Sequence, residues 1–241
     1  MNKDSLKNII SQSNNIVFFG GAGVSTESSI PDFRSTTGLY AISNKGSYSP
    51  EEILSYSFFI NHIEDFFRFY KEKMIYQYAK PNAAHYALAK LEKVGNLQAV
   101  ITQNIDGLHQ MAGSKNVFEL HGSVHRNYCI KCGEHYDLKF ILESNEIVPK
   151  CSKCQGIVKP KVTLYEESLD NYVLEQSIEY ISKAETLIVG GTSLVVYPAA
   201  SLIRYFNGKN LIVINKCATQ YDNIANIVIN DSIGKVLSSV L

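Results

Sequence analysis

Short apolar runs that each stop at a glycine or polar cluster constrain this chain more than any other feature. Residues 16–19 (Ile-Val-Phe-Phe) stop at Gly20-Gly21-Ala22-Gly23-Val24-Ser25, residues 97–101 at Thr102-Gln103-Asn104-Ile105-Asp106-Gly107-Leu108-His109, and residues 117–120 at His121-Gly122. Residues 186–189 stop at Gly190-Gly191-Thr192-Ser193-Leu194, residues 211–214 at Asn215, and 226–229 just before Asp231-Ser232, which can cap a closing helix. Runs this apolar, rich in Val, Ile and Phe, are what strands look like when both faces are covered. Helical patterns lie between them: 82–94, with Ala84, Leu88 and Leu91 inward and Gly95 as C-cap, and 171–183, with Val173, Leu174, Ile178 and Ile181 inward. Tyr197-Pro198-Ala199-Ala200 starts a further helix, with the proline near its first position. Alternation of strand and helix over 82–123 and 159–241 predicts an α/β fold, a doubly wound parallel sheet with a ligand at the carboxyl ends of its strands.

The loop at 20–25 suits a nucleotide, because glycines let the backbone approach a pyrophosphate whose charge is met by free amides at a helix start. It lacks the full Gly-x-Gly-x-x-Gly spacing, and no acidic residue ends a second strand about 20 residues on, so it is not the loop of an ordinary dehydrogenase. Ser29-Ile30-Pro31-Asp32-Phe33-Arg34-Ser35 adds a guanidinium and an aromatic cover, and the small and polar residues of 36–49 predict a mobile loop over the site. Ser49-Pro50-Glu51-Glu52 is a helix start with a capping box. Beyond it, Phe59, Ile63, Phe66, Phe67, Tyr70 and Met74 recur at three and four, the face of a buried helix.

Cys129-x-x-Cys132 and Cys151-x-x-Cys154 have the spacing of a four-cysteine zinc ribbon. Four thiolates fill a tetrahedron and leave no position for water, so this Zn2+ is expected to be structural, one per chain. His125 and His135 could replace a cysteine but are read more simply as solvated neighbours, His85 and His109 are read as packed structural residues, and Cys217 as a small buried side chain after a strand, with a free thiol near the nucleotide as the alternative. The chain of 241 residues then divides into a Rossmann-like unit (1–44, 81–123 and 159–241) and a small second domain (45–80 and 124–158) made of a helical insertion and the ribbon. Basic and acidic side chains balance at 23 each, which gives no electrostatic reason to expect nucleic acid or membrane as a partner. Residues 1–15 suggest an amphipathic helical turn or two rather than a signal peptide, no run is long enough to span a membrane, and a reducing cytoplasm is expected.

Taken together, Gly21-Ala22-Gly23-Val24-Ser25, Ile30-Pro31-Asp32-Phe33-Arg34-Ser35, Thr102-Gln103-Asn104-Ile105-Asp106, His121-Gly122, both cysteine pairs and Gly191-Thr192-Ser193-Leu194 resemble the sirtuin family of NAD-dependent protein-lysine deacylases, in identity and in order. The resemblance implies that Gly21, Ala22, Gly23, Thr26, Phe33 and Arg34 line the phosphate and ribose end of NAD. Gln103, Asn104, Ile105 and Asp106 would hold the nicotinamide and its ribose, and Thr192, Ser193, Asn215, Ser232 and Ile233 the adenosine side. It further implies that the acyl oxygen of a modified lysine attacks the nicotinamide ribose, nicotinamide leaves, and His121 acts as general base while the acyl group passes to the sugar. An imidazole suits that task near neutral pH. Phe33 would shield the reacting ribose from water.

The implied partner is an acyl-lysine peptide lying between Val162 to Glu166 and Leu194 to Tyr197, with Val162, Tyr165, Val195 and Val196 as the contacts, paired by backbone in the manner of an added strand. Three departures stand out. Ser29 occupies a place where the family often has glycine, Tyr165-Glu166-Glu167 replaces the commoner Phe-Gly-Glu, and the loop after Phe33-Arg34 has Tyr40 without the arginine that accompanies acidic acyl chains, which favours acetyl or another neutral acyl group. Alternative readings are an ADP-ribosyltransferase using the same cleft, a zinc-ribbon nucleic-acid module, and a nicotinamide-linked oxidoreductase.

Overall fold

The computed structural model describes residues 2–33, 35, 38–42 and 48–240. In chain order, α1 (Asn2–Gln12) leads into β1 (Ile16–Gly20), followed by the short helices α2 (Leu39–Ile42), α3 (Pro50–Ile53), α4 (Tyr56–Asn61) and α5 (Ile63–Phe69). Then come α6 (Ala83–Lys93), β2 (Leu97–Thr102), α7 (Leu108–Ala112), β3 (Val117–Glu119), β4 (Gly122–Cys129), β5 (His135–Tyr136), α8 (Leu138–Glu143) and β6 (Val158–Val162). The chain closes with α9 (Asn171–Lys183), β7 (Thr186–Gly190), β8 (Asn210–Ile214), β9 (Ile227–Ile229) and α10 (Ile233–Val240).

The six anticipated strands form one sheet in the order β3-β2-β1-β7-β8-β9, every pairing parallel. Strands after β1 are laid first to one side and then to the other, so the order reverses beside β1, where a doubly wound sheet opens a crevice. Register aligns the strand ends there: Gly20 stands opposite both Thr102 and Gly190. Side chains alternate along β1, with Ile16 and Phe18 packing on a cluster that includes Leu6, Leu88 and Leu237 of α1, α6 and α10. Val17 and Phe19 pack on the opposite side, with Ile181 of α9 and with Leu202 and Ile203.

A third core joins the helical insertion to the ribbon: Phe59, Phe66, Phe67 and Tyr70 pack with Ile141, Val158, Cys129 and Cys151. Over them lies an antiparallel sheet in the order β5-β4-β6, and Pro160 sits on its edge strand, where a missing N–H costs no ladder bond.

Local expectations fare unevenly. Ser49 caps α3 with the reciprocal Glu52 bond and Pro50 is its first residue, while Asn82, read as the first residue of its helix, is instead the cap of α6. Gly95 comes just after that helix at φ +89. Three features differ. The N-terminal helix runs for 11 residues rather than a turn or two, because Leu6 and Ile10 are buried against the sheet. The aromatic helix is broken at His62 (φ −135, ψ 51) and ends in a π turn, Tyr70–Met74. The Tyr197–Pro198 peptide is cis, and the next helix, Ala199–Tyr205, is of the 3₁₀ type and starts after the proline. Among the described residues no helix is long and apolar enough to cross a membrane.

Candidate active site

The loops after β1 and β7 meet without side chains between them. Gly23 N–H donates to Gly191 O at 2.8 Å, and a Cβ on Gly23 would stand 2.8 Å from the Gly191 backbone. Gly191 itself has φ +60, so neither residue tolerates a side chain. Gln103 completes this floor from β2: its N–H donates to Gly20 O at 3.0 Å and its amide to Thr192 Oγ1 at 3.0 Å. Above it opens a cavity of about 520 Å³, within the usual range for small-molecule sites.

Polar groups from three strand ends converge on this cavity. Ser25 Oγ donates to Asp106 Oδ2 at 2.6 Å and accepts from Asn104 Nδ2 at 3.0 Å. Asp106 Oδ1 takes the Leu108 N–H at 2.9 Å, which fixes the carboxylate at the start of α7. His121 Nδ1 lies 3.0 Å from Gln103 O. A carbonyl only accepts, so Nδ1 carries the proton and Nε2 keeps its lone pair. Burial pushes the His121 pKa down, with the Gln103 carbonyl opposing, and the ring is neutral at neutral pH. The result is an uncharged base, held in one tautomer, in the wall of a cleft that also carries the Gln103 and Asn104 amides and the Asp106 carboxylate.

Most sequence-identified residues come together here. Ala22, Gly23, Thr26, Phe33, Gln103, Asn104, Ile105, Asp106, His121, Thr192, Ser193, Asn215, Ser232 and Ile233 line the cavity, as do Val162, Tyr165 and Val196. Gly21 lies behind the lining, donating to Gly190 O at 3.3 Å, and Val195 is half exposed outside it. Arg34 and part of the expected mobile loop fall outside the described residues; Phe33 meets Tyr40 edge-on at 5.8 Å.

Sequence reasoning passed over Tyr76 and Gln77, which reach the cavity from the helical insertion, and gave no place in the site to Met74, read as core, or to His125, read as a solvated neighbour, which also line it; His125 Nε2 is 3.0 Å from Asp106 O. It also missed Glu27, whose carboxylate accepts the Gly234 N–H at 2.8 Å and so caps α10. Cys217 is exposed, not buried, and lines the cleft: it comes after β8 in a surface turn, held by Asn215 Nδ2 donating to its carbonyl.

Two of the three departures from the sirtuin pattern share a conformation: Ser29 has φ +63 and Glu166 φ +76, the left-handed region that glycine occupies freely. Away from the cleft, the Sγ atoms of Cys129, Cys132, Cys151 and Cys154 all lie within 4.8 Å of one another, with 3.5 Å between Cys129 and Cys154 and 3.6 Å between Cys132 and Cys151. Tetrahedral zinc at about 2.3 Å from each sulfur requires S···S separations near 3.8 Å, so the donor set fits the ion.

Fold and site together define a nucleotide-binding α/β protein with a neutral imidazole base at a strand end and a thiolate-lined structural metal site. Comparison narrows that class: a model of the Sir2 family matches residues 21–198, and the chain belongs to this family. It is 65% identical over 238 residues to an NAD-dependent protein deacetylase of Clostridium acetobutylicum, covering 99% of this chain and 97% of that one. A protein of the same description from Clostridium perfringens is 66% identical over 239 residues, covering 99% and 98%. Among solved structures, a Sir2 complex with a p53 peptide and NAD+ superposes with a TM-score of 0.85 at 39% identity, covering 100% of this chain and 97% of that one. Sir2 bound to acetylated peptide superposes at 0.86 with 38% identity and the same coverage.

Proposed function

We infer that this chain is an NAD-dependent protein-lysine deacylase that removes acetyl or another short neutral acyl group. The observation that carries the reading is the imidazole of His121, locked by Gln103 O with its Nε2 lone pair available, in a cleft shared with the Ser25–Asp106–Asn104 network. NAD, when bound, supplies an electrophilic ribose carbon, a nicotinamide leaving group and the hydroxyls that receive the acyl group. The chain's own residues bind, orient and move one proton. Thr192, Ser193, Asn215, Ser232 and Ile233 line the end proposed for adenosine, and Ala22, Gly23, Thr26, Phe33 and Arg34 are assigned to the phosphates and ribose. Asn104, Ile105 and Asp106 orient the nicotinamide. His121 Nε2 accepts a proton from a ribose hydroxyl, which its neutral state permits. The four cysteines would hold zinc remote from this chemistry.

The division into a nucleotide unit and a small helical and zinc unit is proposed in the same sense, as is a cytoplasmic setting, which suits five cysteines none of which is in a disulfide. Mass spectrometry of acyl-lysine peptides incubated with NAD tests the function: O-acyl-ADP-ribose, free nicotinamide and unmodified lysine should form together. ADP-ribosylated peptide instead would favour the transferase alternative. His121→Ala should lower turnover by about 10²- to 10⁴-fold while NAD still binds; near-normal deacylation by this variant removes His121 from the role of base.

A further inference from the structure

An incoming strand needs backbone N–H donors, and the stretch assigned to the peptide offers few. Thr163 N–H donates to His121 O at 2.9 Å, Leu164 N–H to the Glu167 carboxylate at 2.8 Å, and Tyr165 N–H to Leu54 O at 2.9 Å. Glu166 is the one residue of 163–166 whose N–H has no protein acceptor among the described residues. Its direction is set by an unusual backbone, φ +76 in a residue with a Cβ, a conformation that persists only where the surroundings hold it. Two contacts hold it: the turn bond in which Glu167 N–H donates to Leu164 O at 3.1 Å, and its own side chain, whose Oε2 accepts the Ser57 N–H at 2.8 Å and Oε1 the Ser57 hydroxyl at 2.9 Å, at the start of α4. Tyr165 O accepting the Tyr56 N–H at 3.0 Å ties the same stretch to the same helix.

We propose that Glu166 is a substrate-positioning residue, whose carboxylate, clamped on Ser57, holds the left-handed backbone that presents its N–H to the acyl-lysine peptide. The proposal rests on the deacylase reading above. Its physical content is pre-organisation. A residue fixed before the peptide arrives loses no backbone freedom on binding, whereas an unclamped one must be ordered at the expense of affinity.

Three variants separate clamp, charge and conformation. Glu166→Gly adopts the left-handed backbone freely but has no clamp; Glu166→Gln keeps both contacts, accepting the Ser57 N–H through Oε1 and donating to the hydroxyl through Nε2, without the charge; Ser57→Ala keeps the N–H contact and removes the hydroxyl contact, together with the 3.2 Å contact of that hydroxyl to Ser55 Oγ. Each is measured for peptide KM, NAD KM and kcat, and for the Kd of a fluorescent acetyl-lysine peptide by anisotropy. Glu166→Gly should raise peptide KM and Kd by about fivefold or more, Ser57→Ala by less, with kcat and NAD KM near wild type, and Glu166→Gln should bind peptide as wild type does. Unchanged peptide Kd in Glu166→Gly overturns the proposal, as does a loss in Glu166→Gln equal to that in Glu166→Gly, which would assign the effect to charge. Absence of NAD-dependent turnover in the wild-type chain overturns the deacylase reading, and the peptide Kd values then judge the clamp by themselves. A wild-type chain that neither turns over nor binds the peptide overturns both.

Discussion

Two buried imidazoles beneath the cleft set how this protein responds to acid. His109 comes after Asp106 on α7 and, among the described residues, neither of its ring nitrogens has a hydrogen-bond partner; His85, on α6, accepts the Asn82 N–H through Nδ1 while its Nε2 is likewise without one. The rings meet edge-on at 4.7 Å. Burial pulls His109 down to about 3, with the neighbouring His85 acting the same way, and pulls His85 down to about 4 against the field of Asp106. An unfolded chain titrates both near 6.5 and so takes up protons that the native state refuses. Stability is therefore fully present above pH 6.5 and declines as pH falls from there towards 4 and 3. Melting temperature should drop between pH 7 and pH 5, and His109→Leu should flatten that slope; an equally steep slope in the variant would place its source elsewhere. His121, also depressed by burial, adds in the same direction.

At the scale of elements, the edge strand β6 is anchored by a lysine with 4% of its side chain exposed. Lys159 Nζ donates to Val162 O at 3.2 Å and to Glu167 Oε2 at 3.1 Å, and that carboxylate oxygen also takes the Leu164 N–H. Burial lowers the lysine pKa, with Glu167 opposing. Lys159→Met should cost about 2 kcal/mol in denaturant unfolding, below the usual penalty for breaking a buried pair because Glu167 remains partly solvated. Lys159→Arg should restore most of it, and a Lys159→Met chain of wild-type stability would show the pair to be neutral.

The strands of the parallel sheet were legible as elements because two-sided burial makes them continuous apolar runs, and α3 and α6 because caps are local chemistry. His62 broke the aromatic helix without any glycine or proline to announce it. Glu27 capping α10 joins residues 207 apart, and no window along the chain contains both. The same holds in the site: His121 and Gln103 stand out as polar residues at strand ends, whereas Met74, Tyr76 and Gln77 reach the cleft only because an apolar helix is folded over it. Cys217 was misplaced because a cysteine after a strand is buried more often than not. Glu166 looked like a simple departure from glycine until its φ angle showed why glycine fits there.

On the whole molecule, the zinc site is a foundation for the third core rather than for the sheet. Cys129 and Cys151 are buried among Phe59, Phe66 and Phe67, and partly buried Phe33 and Ile105 of the cleft pack against the same cluster. One zinc per chain should be found by elemental analysis. Chelation or Cys132→Ser should loosen the ribbon and helical insertion and lower activity while the parallel sheet keeps its circular dichroism. Full activity in a metal-free chain would separate the ribbon from the site.

The chain passes from the large sheet to the small one at Leu120–Gly122 and leaves β6 at Val162–Thr163, and these crossings are pinned together by Thr163 N–H donating to His121 O. His121 is thus placed at a fulcrum. Rotation of one layer against the other would sweep the far ends of the cleft through the widest arc and displace the imidazole least. A proton acceptor at such a point would keep its aim under a rotation of that kind.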